Sequence, residues 1–362
     1  MSVTTERRCA VARKAEVQSV AQRITDSGAE FQVKNMISLE TIEQARERIV
    51  EHIRGTPLVS SAALSELVGT QVSLKLEHHQ LTGSFKLRGA TNAVLQLSQS
   101  ARDRGIVAAS TGNHGRALSY AARAMGARAT ICMSRLVPEN KVSEIRRLGA
   151  SVRIVGSSQD DGQEEVDRLV AEEGLSMIPP FDHAWIIAGQ ATLGLEIVQA
   201  MPQVAAVLVP LSGGGLAAGV AAAVKAVRPE AKVIGITMER GAAMKASIDA
   251  GHPVQVEEHR SFADSLGGGI GLANVWTFQM CKILLDDVVL VSESEIAAGI
   301  RHAYEYERQI VEGAGAVGIA ALLSGKLAHV EGPIAAILSG GNIDMALHRN
   351  VVNGLNTIGE GS

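Results

Sequence analysis

The amino-acid sequence predicts an α/β protein of two domains, with parallel-rich sheets flanked by helices. Three observations predict it. The chain has 362 residues, more than one hydrophobic core ordinarily serves. Its hydrophobic content is 46%, enough to fill two cores. Short β-branched runs also alternate with alanine-rich helical stretches, the signature of βαβ units and a parallel sheet.

Taken in order, the first 35 residues are charged and only weakly periodic, and they read as an extension outside the fold. Ser38 is placed as an N-cap before the amphipathic TIEQARERIVEHI. The next clear helix opens at Lys86: after the turn-forming Thr82, Gly83 and Ser84, the residues Leu87, Ala90, Val94 and Leu97 recur at helical spacing. The alternation follows as GIVAAS with HGRALSYAARAMG, RATICMS with NKVSEIRRLG, and SVRIVG with DGQEEVDRLVAEEG. The proline pair in MIPPFDH, near residue 181, marks a domain crossing. Beyond it the rhythm resumes with VAAVLVPLS, LAAGVAAAVKAV and KVIGITM. The closing NGLNTIGEGS reads as a loose tail.

A net charge of −4 and the lack of any basic run argue against nucleic acid or an acidic membrane surface as partner, so small molecules are the expected ligands. No apolar stretch of membrane-spanning length stands uninterrupted, and MSVTTERRCAVARKAEV lacks the core of a signal peptide, which predicts a cytoplasmic protein. Cys9, Cys132 and Cys281 are odd in number and have no metal-type spacing.

Three Gly-rich turns follow strands and open helices: STGNHG at 110–115, SGGGLAAG at 212–219 and LSGGN at 338–342. Such turns converge backbone N–H groups at a helix N-terminus and can hold phosphate or carboxylate. The middle one also fits a dinucleotide fingerprint loosely through Gly213, Gly215 and Ala218, with Glu239 as the ribose-binding acid, so a nicotinamide-dependent oxidoreductase is an alternative of another class. Lys86 tips the balance. A lysine in the first turn of a helix sits at the positive end of the dipole, and with Phe85 partly covering it the neutral amine is favoured as a nucleophile toward an aldehyde. A Schiff-base lysine together with a phosphate cradle at 212–216 calls for pyridoxal 5′-phosphate.

With TGSFKLRGA, STGNHG, SGGGLAAG, EGAGAVG and LSGGN in this order, the chain from about residue 38 to 350 resembles the fold-type II pyridoxal-phosphate enzymes (tryptophan synthase beta-like), specifically the threonine/serine dehydratase and serine racemase family. The resemblance implies a large cofactor-binding domain of 36–104 and 182–350, a small mobile domain of 105–181 and a homo-oligomer, a dimer being favoured. It makes Lys86 the cofactor-linked lysine, Phe85 a wall of the site and Asn113 the partner of the ring hydroxyl. Gly213, Gly214 and Gly215, edged by Ser212 and Leu216, would hold the phosphate, and Ser339 would face the pyridine nitrogen. Ser110, Thr111, Gly112, Asn113 and His114 would receive the substrate carboxylate, and Glu312 would lie near the ring edge. The implied reaction is elimination of water from a 3-hydroxy amino acid to give a 2-oxo acid and ammonia. A serine at the ring nitrogen suits it, because a neutral hydroxyl cannot hold the pyridine protonated, and a weaker electron sink favours rapid loss of the β-substituent.

Two positions depart from the family pattern. Racemases place a serine where Thr111 stands and many dehydratases an alanine, so racemisation is an alternative outcome; a β-replacement synthase is another. The carboxylates of the family's divalent-cation site align with Thr237, Gly241 and Ala243, so no metal is expected. Finally, MSRLVPENKV, SQDDGQEEVDRLVAEEG, TMERGAAM and ADSLGGGIGL resemble the dehydratase subgroup of hydroxyectoine breakdown, which implies a 3-hydroxylated diaminobutyrate derivative as substrate.

Overall fold

The computed structural model describes residues 37–110, 112–137 and 139–359; the extension read at 1–35 lies outside the described residues. Ser38 caps the first described helix, Leu39–Ile49, by accepting from Thr41 N. The strands are β1 (Leu58–Ser61), β2 (Val72–Lys75), β3 (Ile106–Ala109), β4 (Ala129–Met133), β5 (Ser151–Ile154), β6 (Ser176–Met177), β7 (Ala206–Pro210), β8 (Lys232–Met238), β9 (Asp287–Val291) and β10 (Ile334–Ile337). They form a six-stranded sheet in the order β1-β2-β10-β7-β8-β9 and a four-stranded sheet in the order β5-β4-β3-β6. Only β1 runs antiparallel to its neighbour. Ile334 pairs with Val72 on one side and Ala206 on the other, which sets the last strand in the middle of the larger sheet.

The central strands are apolar along their whole length because helices cover both faces. On one face Val207, Val209, Ala335 and Ile337 meet the helices Ala184–Ala200 and Gly215–Val227. On the other, Leu208, Ile234, Ile236 and Ala336 meet Glu293–Glu305 and Gly313–Leu323. A third cluster joins Ile106, Ile131 and Met133 of the smaller sheet to Leu87, Ala90 and Val94. The helix Lys86–Gln96 thereby shares the core of the smaller sheet, packed on the helices Asn113–Ala124 and Ala184–Ala200, while the loop before it is tied to the larger sheet. Each fully buried Val, Leu or Ile among them contributes roughly 1.5–3 kcal/mol of transfer free energy.

A charged cluster lies within this apolar frame. Arg88 and Glu77 are fully buried, paired through two hydrogen bonds of 2.8 Å, and Arg88 also reaches Glu196 and Thr192. Lys75 reaches Glu196 and Thr56 O, while Thr56 Oγ1 donates to Glu77. At the C-terminal end the helix Met345–Val352 is tied down by Arg301, which donates to Val351 O, Leu355 O and Asn356 Oδ1. Among the described residues no helix is long and apolar enough to cross a membrane.

Candidate active site

All three Gly-rich turns leave the C-terminal ends of parallel strands, STGNHG after β3, SGGG after β7 and LSGGN after β10, where open α/β sheets bind ligands. Two of them open helices directly, Asn113–Ala124 and Gly215–Val227. The loop before Lys86 is pinned to the turn after β10: Phe85 N donates to Ser339 O (3.0 Å), Gly341 N to Gly83 O (2.9 Å), and Ser84 bridges Gly340.

Lys86 is the first residue of its helix, as expected, yet the main cause of its altered basicity is not the helix end. Burial pushes its amine down to about 8, with the Glu312 charge pulling the other way. Nζ donates to Pro180 O at 2.7 Å and lies 5.4 Å from the centre of the Phe85 ring. The neighbouring Phe181 lies over the middle glycine turn: a Cβ on Gly213 would stand 2.4 Å from its ring, and one on Gly215 would meet its backbone. Gly214 has φ +89° and would drive a Cβ into Met244 and Thr277, so only glycine turns the chain here. The segment Pro180–Phe181 thus brings Lys86 and the glycine cradle to one place.

A second group gathers around Glu312. Asn113 Nδ2 donates to Glu312 Oε1 (2.7 Å), Ser265 Oγ donates to the same oxygen (3.2 Å), and Glu312 N donates to Gly340 O (3.1 Å). Burial, with Asp264 nearby, lifts the Glu312 carboxyl to about 7. Ser339 is buried, and its carbonyl holds Phe85 N beside Lys86.

At the substrate turn, Ser110 Oγ accepts from Gly112 N (3.4 Å) and Gly115 N (3.0 Å). The His114 ring turns away to Ile178 O (2.9 Å), and burial together with the Lys86 charge pushes it down to about 3, so it is a neutral ring. Its backbone N–H, in the first helical turn, is what it can offer a carboxylate. Thr111 lies outside the described residues. Ser212 is partly buried and Leu216 belongs to the core on the sheet's face. Thr237 is buried at the end of β8, Gly241 has φ +74°, and Ala243 opens the helix Ala243–Ala250.

Sequence reasoning missed Thr82 and Ser84, taken only as turn formers. Both hydroxyls are buried with no hydrogen-bond partner among the described residues, an arrangement that costs free energy unless a ligand completes it. Two unpartnered hydroxyls, a nucleophilic amine lowered by burial and a glycine turn at a helix start fit a phosphorylated aldehyde cofactor.

Residues 49–340 match the family model described as pyridoxal-phosphate dependent enzyme. The chain is 78% identical over 319 residues to a protein of Sinorhizobium fredii named "Putative threonine dehydratase", covering 88% of this chain and 96% of that one. It is 41% identical to the L-threonine ammonia-lyase of Thermotoga maritima, over 88% of this chain and 79% of that one. Among solved structures, maize serine racemase superposes with a TM-score of 0.83 at 30% identity, covering 87% of this chain and 97% of that one. The processed threonine deaminase isoform 2 of Solanum lycopersicum gives 0.81 at 34% identity, covering 88% and 95%. The chain therefore belongs to the fold-type II pyridoxal-phosphate enzymes of the threonine/serine dehydratase and racemase family. It is a pyridoxal-phosphate-dependent lyase of the threonine/serine dehydratase type. Family membership leaves the nicotinamide alternative without support.

Proposed function

We propose that the chain removes water from a 3-hydroxy amino acid carrying a cationic side chain, a 3-hydroxylated diaminobutyrate derivative, to give a 2-oxo acid and ammonia. The observation that carries the chemistry is the buried Lys86 amine held at Pro180 O beside the Phe181-covered glycine turn. When bound, pyridoxal phosphate supplies an electron sink for the substrate's Cα. Gly213, Gly214 and Gly215 would hold its phosphate with helix-start N–H groups, Phe85 would wall the site, Asn113 would meet the ring hydroxyl and Ser339 would face the ring nitrogen with a neutral hydroxyl. Lys86 Nζ, lowered to about 8 by burial, has a substantial neutral fraction near neutral pH and takes the Cα proton as general base. The N–H groups of the turn at 110–114 orient the substrate carboxylate.

The substrate reading rests on the resemblance of MSRLVPENKV, SQDDGQEEVDRLVAEEG, TMERGAAM and ADSLGGGIGL to the hydroxyectoine subgroup. Ammonia release measured over threonine, serine and 3-hydroxy-2,4-diaminobutyrate is expected to show highest kcat/KM for the last. A preference for threonine would remove the substrate reading and leave the dehydratase. The likeness to maize serine racemase favours assaying D-amino acid in the same reactions, where mainly 2-oxo acid is expected. We further propose a homodimer, measurable by light scattering.

A further inference from the structure

The turn LSGGN supplies Ser339, but its last residue, Asn342, has been given no task. Every polar position of its amide is engaged. Nδ2 donates to Thr82 O (3.0 Å) and to Asn113 Oδ1 (2.6 Å), and Oδ1 accepts from Arg116 Nη1 (3.4 Å), itself paired with Glu144. Asn342 and Thr82 belong to loops of the larger sheet, whereas Asn113 and Arg116 open the helix that follows β3 of the smaller one. The contacts therefore join loops of the larger sheet to the first helical turn after β3 of the smaller one.

The chemistry of the partners fixes which way each amide faces. A backbone carbonyl can only accept, so the Asn342 nitrogen must point toward Thr82 O, and its second N–H then reaches Asn113 Oδ1. With its oxygen occupied, Asn113 has to present its nitrogen to the site. One N–H goes to Glu312 Oε1 at 2.7 Å, which leaves the other for a ligand.

We propose that Asn342 is a positioning residue that holds Asn113 as a hydrogen-bond donor toward the cofactor's ring oxygen. This rests on the reading that Asn113 meets that oxygen. A donor there favours the ionised ring oxygen, whereas an Asn113 free to flip would present its carbonyl and favour the protonated one. In this role Asn342 acts through Asn113, to which it donates directly.

The test is a double-mutant cycle on the holoenzyme: wild type, N113A, N342A and N113A/N342A, each reconstituted with pyridoxal phosphate. The readouts are the cofactor dissociation constant and the position of its visible absorption band at one fixed pH. N342A is expected to weaken cofactor binding about tenfold, the scale of one net hydrogen bond, and to shift the band. In the N113A background the same substitution should change affinity less than twofold and leave the band in place. If N342A matches wild type, or if the two effects multiply, the positioning role is wrong and Asn342 only packs. If N113A itself leaves affinity and band unchanged, the placement of Asn113 at the ring oxygen fails first and takes the inference with it. Thermal melting of each apoprotein monitors folding, and should N342A not fold, Asn342→Ser, which also lacks the amide, carries the same cycle.

Discussion

At the scale of single residues, two ionisations distinguish this site from a generic cleft, and each has a measurable sign. Burial sets Lys86 near 8, so the apoprotein's capture of pyridoxal phosphate, followed by visible absorbance, should rise with pH and level off with a midpoint near 8. Lys86→Ala should fold and show no such band, and a midpoint near the ordinary lysine value of 10.5 would contradict the buried placement. Glu312 behaves in the opposite sense to a salt-bridged carboxylate. Its folded-state value of about 7 exceeds the ordinary 4.5, so the folded state binds the proton more tightly than the unfolded one. The resulting stabilisation is whole below about 4.5 and is lost as pH rises through about 7, amounting to at most roughly 3 kcal/mol. The difference in apoprotein stability between Glu312→Gln and wild type should therefore grow in the variant's favour over that window. A constant difference across it would show that Glu312 ionises as an ordinary carboxyl.

At the scale of elements, the helix carrying Lys86 is located by what it packs against more than by its own cap, since Phe85 supplies no side-chain capping bond. Its closest partner is the helix Ala184–Ala200, where a Cβ on Gly189 would stand 2.6 Å from Gly89 Cα and 2.7 Å from Arg88 O. Backbone touches backbone there, so neither side can yield by a rotamer change. Gly189→Val should cost at least ~1–3 kcal/mol of stability by overpacking, and should lower cofactor occupancy because Lys86 rides on the displaced helix. Unchanged melting with full occupancy would mean the two helices have slack that the distances deny. The ion cluster beneath the same helix is a harder constraint. Replacing Arg88 with Met strips the fully buried Glu77 of its guanidinium partner, and about 3–5 kcal/mol of stability should be lost in denaturant titration. Glu77→Gln added to Arg88→Met should restore part of that loss; if it does not, the cost lies in packing instead of charge.

At the scale of the whole molecule, local order was legible and long-range pairing was not. Strands β7 and β8 fall within the stretches their sequence pattern indicates, and the helices Asn113–Ala124, Gln159–Glu173 and Gly215–Val227 overlap theirs but each begin one or two residues earlier, because periodicity is a local property that marks a helix's body better than its first turn. The insertion of β10 between β2 and β7 left no mark in the local pattern, since register depends on residues hundreds of positions apart. The site divides the same way. Lys86 and the glycines announce themselves through turn chemistry, but Asn113 meets Glu312 and Asn342 at sequence separations of 199 and 229. Arg88 reads on sequence as one more helix cation; only the fold shows it enclosed with Glu77 and Glu196.

The central place of β10 also imposes an order on manufacture. The smaller sheet is contiguous from Ile106 to Met177 and has all its strands as soon as that stretch has left the ribosome. The larger sheet has a gap at its middle until Ile334–Ile337 is made, and the clasp of Phe85 N on Ser339 O cannot close before then. A nascent chain thus carries its lysine on an unfinished scaffold through almost the whole of its synthesis, and assembly of the reactive amine's surroundings is among the last events to be completed. Chains cut short before β10 should therefore capture no cofactor, which couples the onset of chemistry to the completion of translation.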